Sequence, residues 1–151
     1  MIRTARRSEA DAVAAIINAA FEVERPFRKG DRTSGAEIGK LIERDTILVF
    51  EQDGRLIGAI HASVNPPAGY FGMLAVDAGA RRSGVGRALL EAAEAHCRAA
   101  GCTVMTLSTG EDRTELFPYY GKLGYRVTHS EISANPAFKH PIRVVHMAKD
   151  L

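Results

Sequence analysis

Apolar residues recur at helical spacing in the first third of the chain. Residues 2–5 are a candidate short strand, and the apolar spacing that follows them predicts a helix ending near Phe21. Ser8 precedes acidic residues and is predicted to cap this helix, because its hydroxyl can accept from the first free amides. Residues 22–32 are polar and predict a loop, and Ser34 is predicted to cap a second, short helix.

The middle of the chain contains β-branched and aromatic runs that predict three consecutive strands. Residues 46–51 and 56–64 flank Asp53-Gly54, a pair that favours the positive φ angles of a tight hairpin turn. Residues 65–69 contain prolines and a glycine and interrupt the pattern before a third strand at residues 70–76. The three segments therefore predict a hairpin followed by one further strand.

Strands and helices alternate in the second half of the chain. Apolar residues at helical spacing predict a helix over residues 85–100, which Gly101 ends. Another helix is predicted over residues 111–122, where Pro118 indicates a kink or a late start. Further strands are predicted at residues 103–108, from residue 124, and at residues 142–148. This order predicts a single α/β domain over residues 1–151, with helices on the faces of a mixed sheet.

The composition is that of a soluble globular protein and argues against several classes of function. The chain has 151 residues, of which 46% are hydrophobic and 25% charged, and its net charge is +2. Basic residues are spread along the chain, which argues against nucleic-acid binding, and no apolar run approaches membrane-spanning length. The first residues lack the apolar core of a signal peptide, and Cys97 and Cys102 are expected to be reduced and buried, so a cytoplasmic protein is expected. The five histidines and two cysteines show no zinc-ligand spacing, so no metal site is expected.

The most informative motif is Arg81-Arg82-Ser83-Gly84-Val85-Gly86, which joins a predicted strand to a predicted helix. Its glycines allow positive φ angles and close approach, and backbone amides at a helix start bind phosphate groups well. The motif therefore predicts a phosphate or pyrophosphate site. A Walker loop is excluded because its lysine is absent, and a dinucleotide fingerprint is excluded because Leu89 stands where the third glycine belongs.

With these motifs the chain resembles the GCN5-related N-acetyltransferase (GNAT) family over nearly its whole length. Residues 81–86 match the family signature Gln/Arg-x-x-Gly-x-Gly/Ala, and Leu74-Ala75-Val76 precede it at the family's spacing. Tyr119-Tyr120 and Leu123-Gly124-Tyr125 match a second signature, an aromatic-tyrosine pair followed by Leu-Gly-Phe/Tyr. The resemblance implies a mixed, mostly antiparallel central sheet with helices on both faces. It also implies an enzyme that transfers acetyl from acetyl-CoA to a primary amine, without a metal.

The resemblance further implies roles for individual residues. Leu74 is expected to donate its amide N–H to the oxyanion formed when the amine attacks the thioester, and Tyr120 to protonate the departing thiolate. A shift of one residue would exchange Tyr120 with Tyr119. Arg113 stands where many relatives carry an asparagine, and could reach a coenzyme phosphate. The expected coenzyme-binding residues are Leu74, Ala75, Val76, Arg81, Arg82, Ser83, Gly84, Val85, Gly86, Arg87 and Arg113.

The sequence leaves the proton acceptor and the acetyl acceptor open. The strand at residues 70–76 contains no Asp or Glu, so the family's commonest glutamate base is absent there. The remaining alternatives for the base are Glu24, His61, Glu111 and Glu115. The acceptor pocket is expected to form from the first two helices, their loop, and the loops at residues 65–69 and 133–141. Candidate lining residues are Phe21, Phe27, Tyr70 and Phe138, and the basic residues that could attract an acidic acceptor are Arg25, Arg28, Lys29 and Arg32.

The sequence supports three functions to different degrees. The leading hypothesis is acetylation of a small-molecule or peptide amine, and a homodimer is compatible with it. The missing strand glutamate keeps a non-catalytic acyl-CoA-binding sensor or interaction module as the alternative. Nucleic-acid binding through the basic N-terminal and loop residues is poorly supported by the sequence.

Overall fold

One seven-stranded sheet takes up strands from the whole chain. The computed structural model describes residues 1–151, and the strands follow the order β1-β2-β3-β4-β5-β7-β6. All neighbouring strands are antiparallel except β4 and β5, which are parallel. The strands are β1 (Ile2–Thr4), β2 (Thr46–Gln52), β3 (Arg55–Asn65), β4 (Ala68–Val76), β5 (Val104–Gly110), β6 (Arg126–Ser133) and β7 (Ile142–Asp150).

Four helices cover the two faces of the sheet. They are α1 (Ala10–Ala20), α2 (Gly35–Arg44), α3 (Val85–Ala99) and α4 (Leu116–Lys122). The larger core lies between the sheet and α3, around Leu89, Leu90 and Met105, and the smaller core lies under α1 and α2, around Ile17 and Ile38. None of the four helices combines the length and the apolarity that crossing a bilayer requires. Helices on both faces confirm the layered mixed sheet predicted from the sequence.

The predicted helix starts and turns have different outcomes. The Ser34 hydroxyl accepts from the Glu37 amide at 3.1 Å, which confirms the predicted cap of α2. The predicted cap at Ser8 is wrong, because a short 3-10 turn precedes α1 and the Glu9 carboxylate accepts from the Arg6 amide instead, at 2.8 Å. The α4 helix starts late, at Leu116, so that Pro118 falls in its first turn, where a missing N–H is tolerated.

Strand β4 contains a bulge that changes which face each residue points to. The register with β3 passes from Ala59–Ala75 to His61–Gly72, so Met73 and Leu74 together oppose one residue of β3. Met73 has φ of +53°, which is unusual for a residue with a side chain. As a result, Phe71 packs in the core under α3, whereas Met73 packs in the core under α1.

Strands β4 and β5 pair only at their beginnings. Three residue pairs join them, and the last is Tyr70 with Thr106. Beyond that pair, β4 continues along β3 and β5 continues along β7, with no pairing between β4 and β5. The two halves of the sheet therefore separate and leave a gap at the end from which the chain enters the 81–86 motif.

A buried polar cluster fixes α3 to the far half of the sheet. The Tyr125 hydroxyl donates to Glu94 Oε2 at 2.6 Å, and Lys149 Nζ donates to both Glu94 oxygens at 3.1 Å.

Glu94→Ala is expected to lower the free energy of unfolding by about 2–4 kcal/mol, since it leaves a buried hydroxyl and an ammonium unpaired. Urea denaturation measures this, with Glu91→Ala as the control. Glu91 is exposed and pairs only with Arg87, so its loss costs about 0.5 kcal/mol or less. Equal losses for the two variants would contradict the assignment.

Candidate active site

The 81–86 motif forms a loop that leads into the start of α3. Arg82 and Gly84 have positive φ angles of 65° and 87°. A side chain at position 84 would meet no atom within 4 Å, so the backbone conformation, and not space, calls for glycine there. The first helical bond runs from the Ala88 amide to the Gly84 carbonyl at 3.0 Å. The amides of Val85, Gly86 and Arg87 consequently have no partner within the helix, which is the arrangement that binds anions.

The arginines of this loop are at the surface. Arg82 is exposed and forms no ion pair, while Arg87 pairs with Glu91 at 3.0 Å. The Arg81 Nε donates to the Val76 carbonyl at 3.5 Å, and the Ser83 hydroxyl donates to the Ala80 carbonyl. The last two contacts hold the loop against the end of β4, and Arg82 is left available to an anion.

A cavity of about 830 Å³ occupies the gap between the separated strands. Gly72, Met73 and Leu74 line one side of it, and the end of β5, residues 107–110, lines the other. Leu74 and Val76 pack their side chains against the core under α3. The backbone around the bulge therefore borders the cavity while the side chains hold the strand in place.

The two adjacent tyrosines of α4 lie in different surroundings. Tyr120 is 6% exposed, lines the cavity, and packs edge-on against Phe71 and Tyr125 at centroid distances of 5.6 and 6.1 Å. Its hydroxyl forms no hydrogen bond with the protein, and burial raises its pKa. Tyr119 is 40% exposed, and a Cβ placed on Gly86 would lie 3.3 Å from its hydroxyl. Only Tyr120 therefore reaches the cavity.

Arg113 is held by two carboxylates and not by the phosphate loop. Its Nη1 donates to Glu24 Oε2 at 2.8 Å and its Nε donates to Glu115 Oε1 at 2.6 Å. Glu24 is buried and also accepts from Arg28, so it ties the loop after α1 to the loop before α4. The contacts of Arg113 therefore favour a structural role over the coenzyme contact that the sequence predicts.

The loops at residues 21–34 and 134–141 cover the cavity, and backbone hydrogen bonds join them. They are called the roof loops. The Lys29 amide donates to the Ala137 carbonyl at 2.7 Å, and the Lys139 amide donates to the Phe27 carbonyl at 2.9 Å. The four predicted lining residues, Phe21, Phe27, Tyr70 and Phe138, all border the cavity. Residues 65–69 do not, so that part of the predicted pocket is wrong. They form the tight turn between β3 and β4, at the opposite end of β4.

The candidate proton acceptors are dispersed. Both carboxylate oxygens of Glu24 are engaged by arginines, and Glu115 pairs with Arg113. Glu111 is exposed and lies 3.6 Å from Arg143, outside the cavity. His61 borders a second, adjoining cavity, where its Nε2 lies 3.0 Å from Asp45 Oδ2. None of the four is free beside the strand gap.

Sequence reasoning missed a histidine that does line the cavity. His146 lies on β7 opposite Ser108 of β5, and its Nε2 is 2.8 Å from Glu131 Oε1. Its ring stacks on that of His129 at 4.3 Å. No local motif marks His146, because sheet pairing alone brings it to the strand gap.

The model of the acetyltransferase (GNAT) family matches residues 10–125, which is most of the chain and includes both signature motifs. The chain belongs to the GNAT family. It is therefore an acetyl-CoA-dependent acetyltransferase, which confirms the family, the type of enzyme and the co-substrate expected from the sequence. No curated protein sequence matches the chain.

Solved structures of GNAT proteins share the fold at low sequence identity. Ard1 from Thermoplasma volcanium is 22% identical, with a TM-score of 0.82, over 100% of this chain and 97% of its own. The ribosomal-protein-alanine N-acetyltransferase from Brucella melitensis is 20% identical, with a TM-score of 0.80, over 100% and 99% of the two chains. The putative acetyltransferase yncA from Salmonella typhimurium, solved with its cofactor acetyl-CoA, is 18% identical, with a TM-score of 0.79, over 100% and 93%. No three His, Cys, Asp or Glu side chains of this GNAT protein are grouped so that they could hold a metal ion.

Proposed function

We propose that this enzyme transfers the acetyl group of acetyl-CoA to a primary amine by direct attack, with Tyr120 as general acid. The observation that carries the proposal is the Tyr120 hydroxyl. The Tyr120 ring is buried and borders the cavity in the strand gap, and its hydroxyl has no hydrogen-bond partner in the protein. A hydroxyl that borders a cavity and has no protein partner is available to a reacting group.

The loop and the strand gap have the features that acetyl-CoA requires. Free amides at Val85, Gly86 and Arg87, together with the positive φ angles at Arg82 and Gly84, suit a pyrophosphate. From Gly72 to Val76, β4 is unpaired on its β5 side, and this edge suits the amides of a pantetheine arm, which would lie along it as an added strand. Arg82 is the exposed arginine left to neutralise phosphate charge.

Two groups of the chain are assigned to the acetyl-transfer step. When bound, acetyl-CoA supplies a thioester carbonyl that an amine nitrogen attacks, so that a C–N bond forms and the C–S bond breaks. The Leu74 amide, next to the bulge at Met73, is assigned to the oxygen that gains negative charge. Tyr120 is assigned to give its proton to the sulfur that leaves, and the proton that the attacking nitrogen gives up as the amide forms restores the Tyr120 hydroxyl.

The acceptor amine must also lose a proton, because amines are mostly protonated near pH 7. His146 is the imidazole that lines the cavity, and Glu131 holds its Nε2. We assign His146 to accept this proton, directly or through water, and to pass it to solvent. This assignment replaces the four acceptors considered from the sequence.

An amine panel tests the proposal. Purified protein is incubated with acetyl-CoA and single primary amines, including amino acids, polyamines, aminoglycosides and peptides, and thiol release is followed with a chromogenic disulfide. Acetylated product is confirmed by mass spectrometry. Calorimetric binding of acetyl-CoA without turnover on any amine would favour the acyl-CoA-binding module instead.

Activity is expected to rise with pH and to hold up to about pH 10. Burial raises the pKa of Tyr120 above that of a free tyrosine, so its hydroxyl keeps its proton over this range. Raising the pH therefore produces more free amine without deprotonating the acid. The measurement is kcat/KM between pH 6 and 10 at constant ionic strength. If kcat/KM instead declined reversibly as the pH was raised, with the decline beginning below pH 9, the assignment of Tyr120 would be contradicted.

The cellular setting forms a further part of the proposal. Both cysteines are buried free thiols, which suits a reducing compartment, so we assign the reaction to the cytoplasm. A homodimer is retained as a prediction, and sedimentation velocity of the purified protein tests it.

A further inference from the structure

Of the three arginines in the loop between α1 and α2, only Arg32 has no partner. Arg25 pairs with Glu22 and Asp31, and Arg28 pairs with Glu24. Lys29 is exposed and forms no ion pair. Arg32 forms neither an ion pair nor a hydrogen bond, yet it is only partly exposed and borders both the main cavity and the adjoining cavity of about 540 Å³.

The surroundings of Arg32 are unfavourable for an unpaired cation. Its guanidinium carbon lies 5.5 Å from the centre of the Phe21 ring, which covers one face of the group. Burial and the neighbouring Arg28 charge lower the pKa of Arg32. A bound anion would relieve both costs, because charge-assisted hydrogen bonds to a guanidinium are strong where water is partly excluded.

A second group without a partner lies at the same junction. Tyr70 also borders both cavities, and its hydroxyl forms no hydrogen bond with the protein. A Cβ on Gly72 would lie 2.9 Å from that hydroxyl, so the hydroxyl lies over the unpaired part of β4. Gly72 is two residues before Leu74, whose amide is assigned to the reacting thioester. The Tyr70 hydroxyl is therefore close to that part of the backbone.

We infer that the acetyl acceptor is a small amine that carries a carboxylate, as an amino acid does, and that Arg32 and Tyr70 bind this carboxylate. The inference rests on the proposed function. One planar guanidinium with one hydroxyl suits a monoanion. Glu24 and Glu37 also border the main cavity and disfavour a ligand of higher negative charge. The joined roof loops and the acetyl end of the co-substrate limit the remaining volume, which favours a small acceptor over a protein surface.

In the reaction inferred, the amine nitrogen of the amino acid bonds to the acetyl carbon and the C–S bond breaks. CoA leaves as the thiol, and the proton lost by the ammonium passes to solvent. The carboxylate is unchanged and serves only to hold the acceptor. Arg32 is thus a specificity-determining residue that makes no contact with the atoms that react.

The experiment compares matched acceptors that differ only in the carboxylate. Each of the common amino acids is assayed beside its carboxamide, and dipeptides with a free or amidated C-terminus form a second arm. We expect at least one amino acid to be acetylated with kcat/KM tenfold or more above that of its amide. Arg32→Gln should abolish this preference mainly through KM, and Arg32→Lys should restore it in part. Lys29→Gln, which removes an equal charge from the same loop, should leave the preference unchanged.

Each of the other outcomes overturns all or part of the inference, or the proposed function. Amides acetylated as well as acids, or a preference that survives Arg32→Gln, would overturn the inference while acetyl transfer stands. Acetylation confined to dipeptides with a free C-terminus would assign the carboxylate site to peptides and overturn the small-acceptor part. Calorimetry provides an independent readout, since the acid but not its amide should bind the CoA-saturated protein and lose binding in Arg32→Gln. Binding of CoA with turnover of neither member of any pair would also overturn it, whereas failure to bind acetyl-CoA at all would overturn the proposed function.

Discussion

Replacing Tyr120 with phenylalanine is expected to lower kcat by about 10²–10⁴-fold, which is the usual contribution of a positioned general acid. The dissociation constant of acetyl-CoA should stay within about twofold, because the ring still packs against Phe71 and Tyr125 and only the hydroxyl is lost. Stopped thiol-release assays give kcat, and isothermal calorimetry gives the dissociation constant. The thermal midpoint should change little, since this hydroxyl has no hydrogen-bond partner in the protein.

Tyr119→Phe is the matched comparison for this variant. It removes the same atom from the adjacent residue, which is exposed and lies outside the cavity lining. Its kcat should fall far less than that of Tyr120→Phe. The reverse order of effects would move the acid role to Tyr119, and wild-type turnover in Tyr120→Phe would remove the assignment altogether.

Gly84→Glu is expected to weaken acetyl-CoA binding by roughly 100-fold or more. At φ of 87° a side chain costs about 1–2 kcal/mol of conformational strain. A negative charge about 4 Å from a pyrophosphate adds about 1–4 kcal/mol of repulsion, depending on local screening. The measurement is calorimetric binding of acetyl-CoA at low and at physiological salt. The deficit should shrink as salt rises, because the repulsive part is screened.

The hairpin turn between β2 and β3 offers a control for backbone strain. Gly54 has φ of 75° and, like Gly84, no atom within 4 Å of a Cβ placed on it. Gly54→Glu should therefore lower stability by a similar amount, about 1–2 kcal/mol, and leave binding of acetyl-CoA unchanged. If both variants lose affinity equally, global destabilisation and not the loop at residues 81–86 would account for the result.

The features that the sequence predicted depend on residues near one another in the chain. The Asp53-Gly54 turn, the Ser34 cap and the start of α3 after two glycines each follow from local backbone preferences. The family signatures are of the same kind, since each spans fewer than ten residues. The Ser8 prediction failed locally as well, because a side chain one position later, Glu9, accepts the competing hydrogen bond.

The features that the sequence did not predict depend on distant pairings. The bulge at Met73 places two residues opposite one of β3, and no turn residue marks it in the sequence. Arg113 and Glu24 are far apart in the chain but joined in the fold, which is why Arg113 resembled a free cation. His146 reaches the cavity only through its pairing across β5 and β6. The basic loop between the first helices could be divided into paired and unpaired arginines only once its partners were in place.

The short pairing between β4 and β5 leaves room for a bound molecule between the two halves of the sheet. The sheet consists of two halves that pair with each other through only three residue pairs, and beyond those pairs each half has an unpaired edge that faces the other. A molecule that lies along such an edge completes the wall between the halves. By binding the folded protein and not the unfolded chain, acetyl-CoA would therefore raise the free energy of unfolding as its free concentration rises.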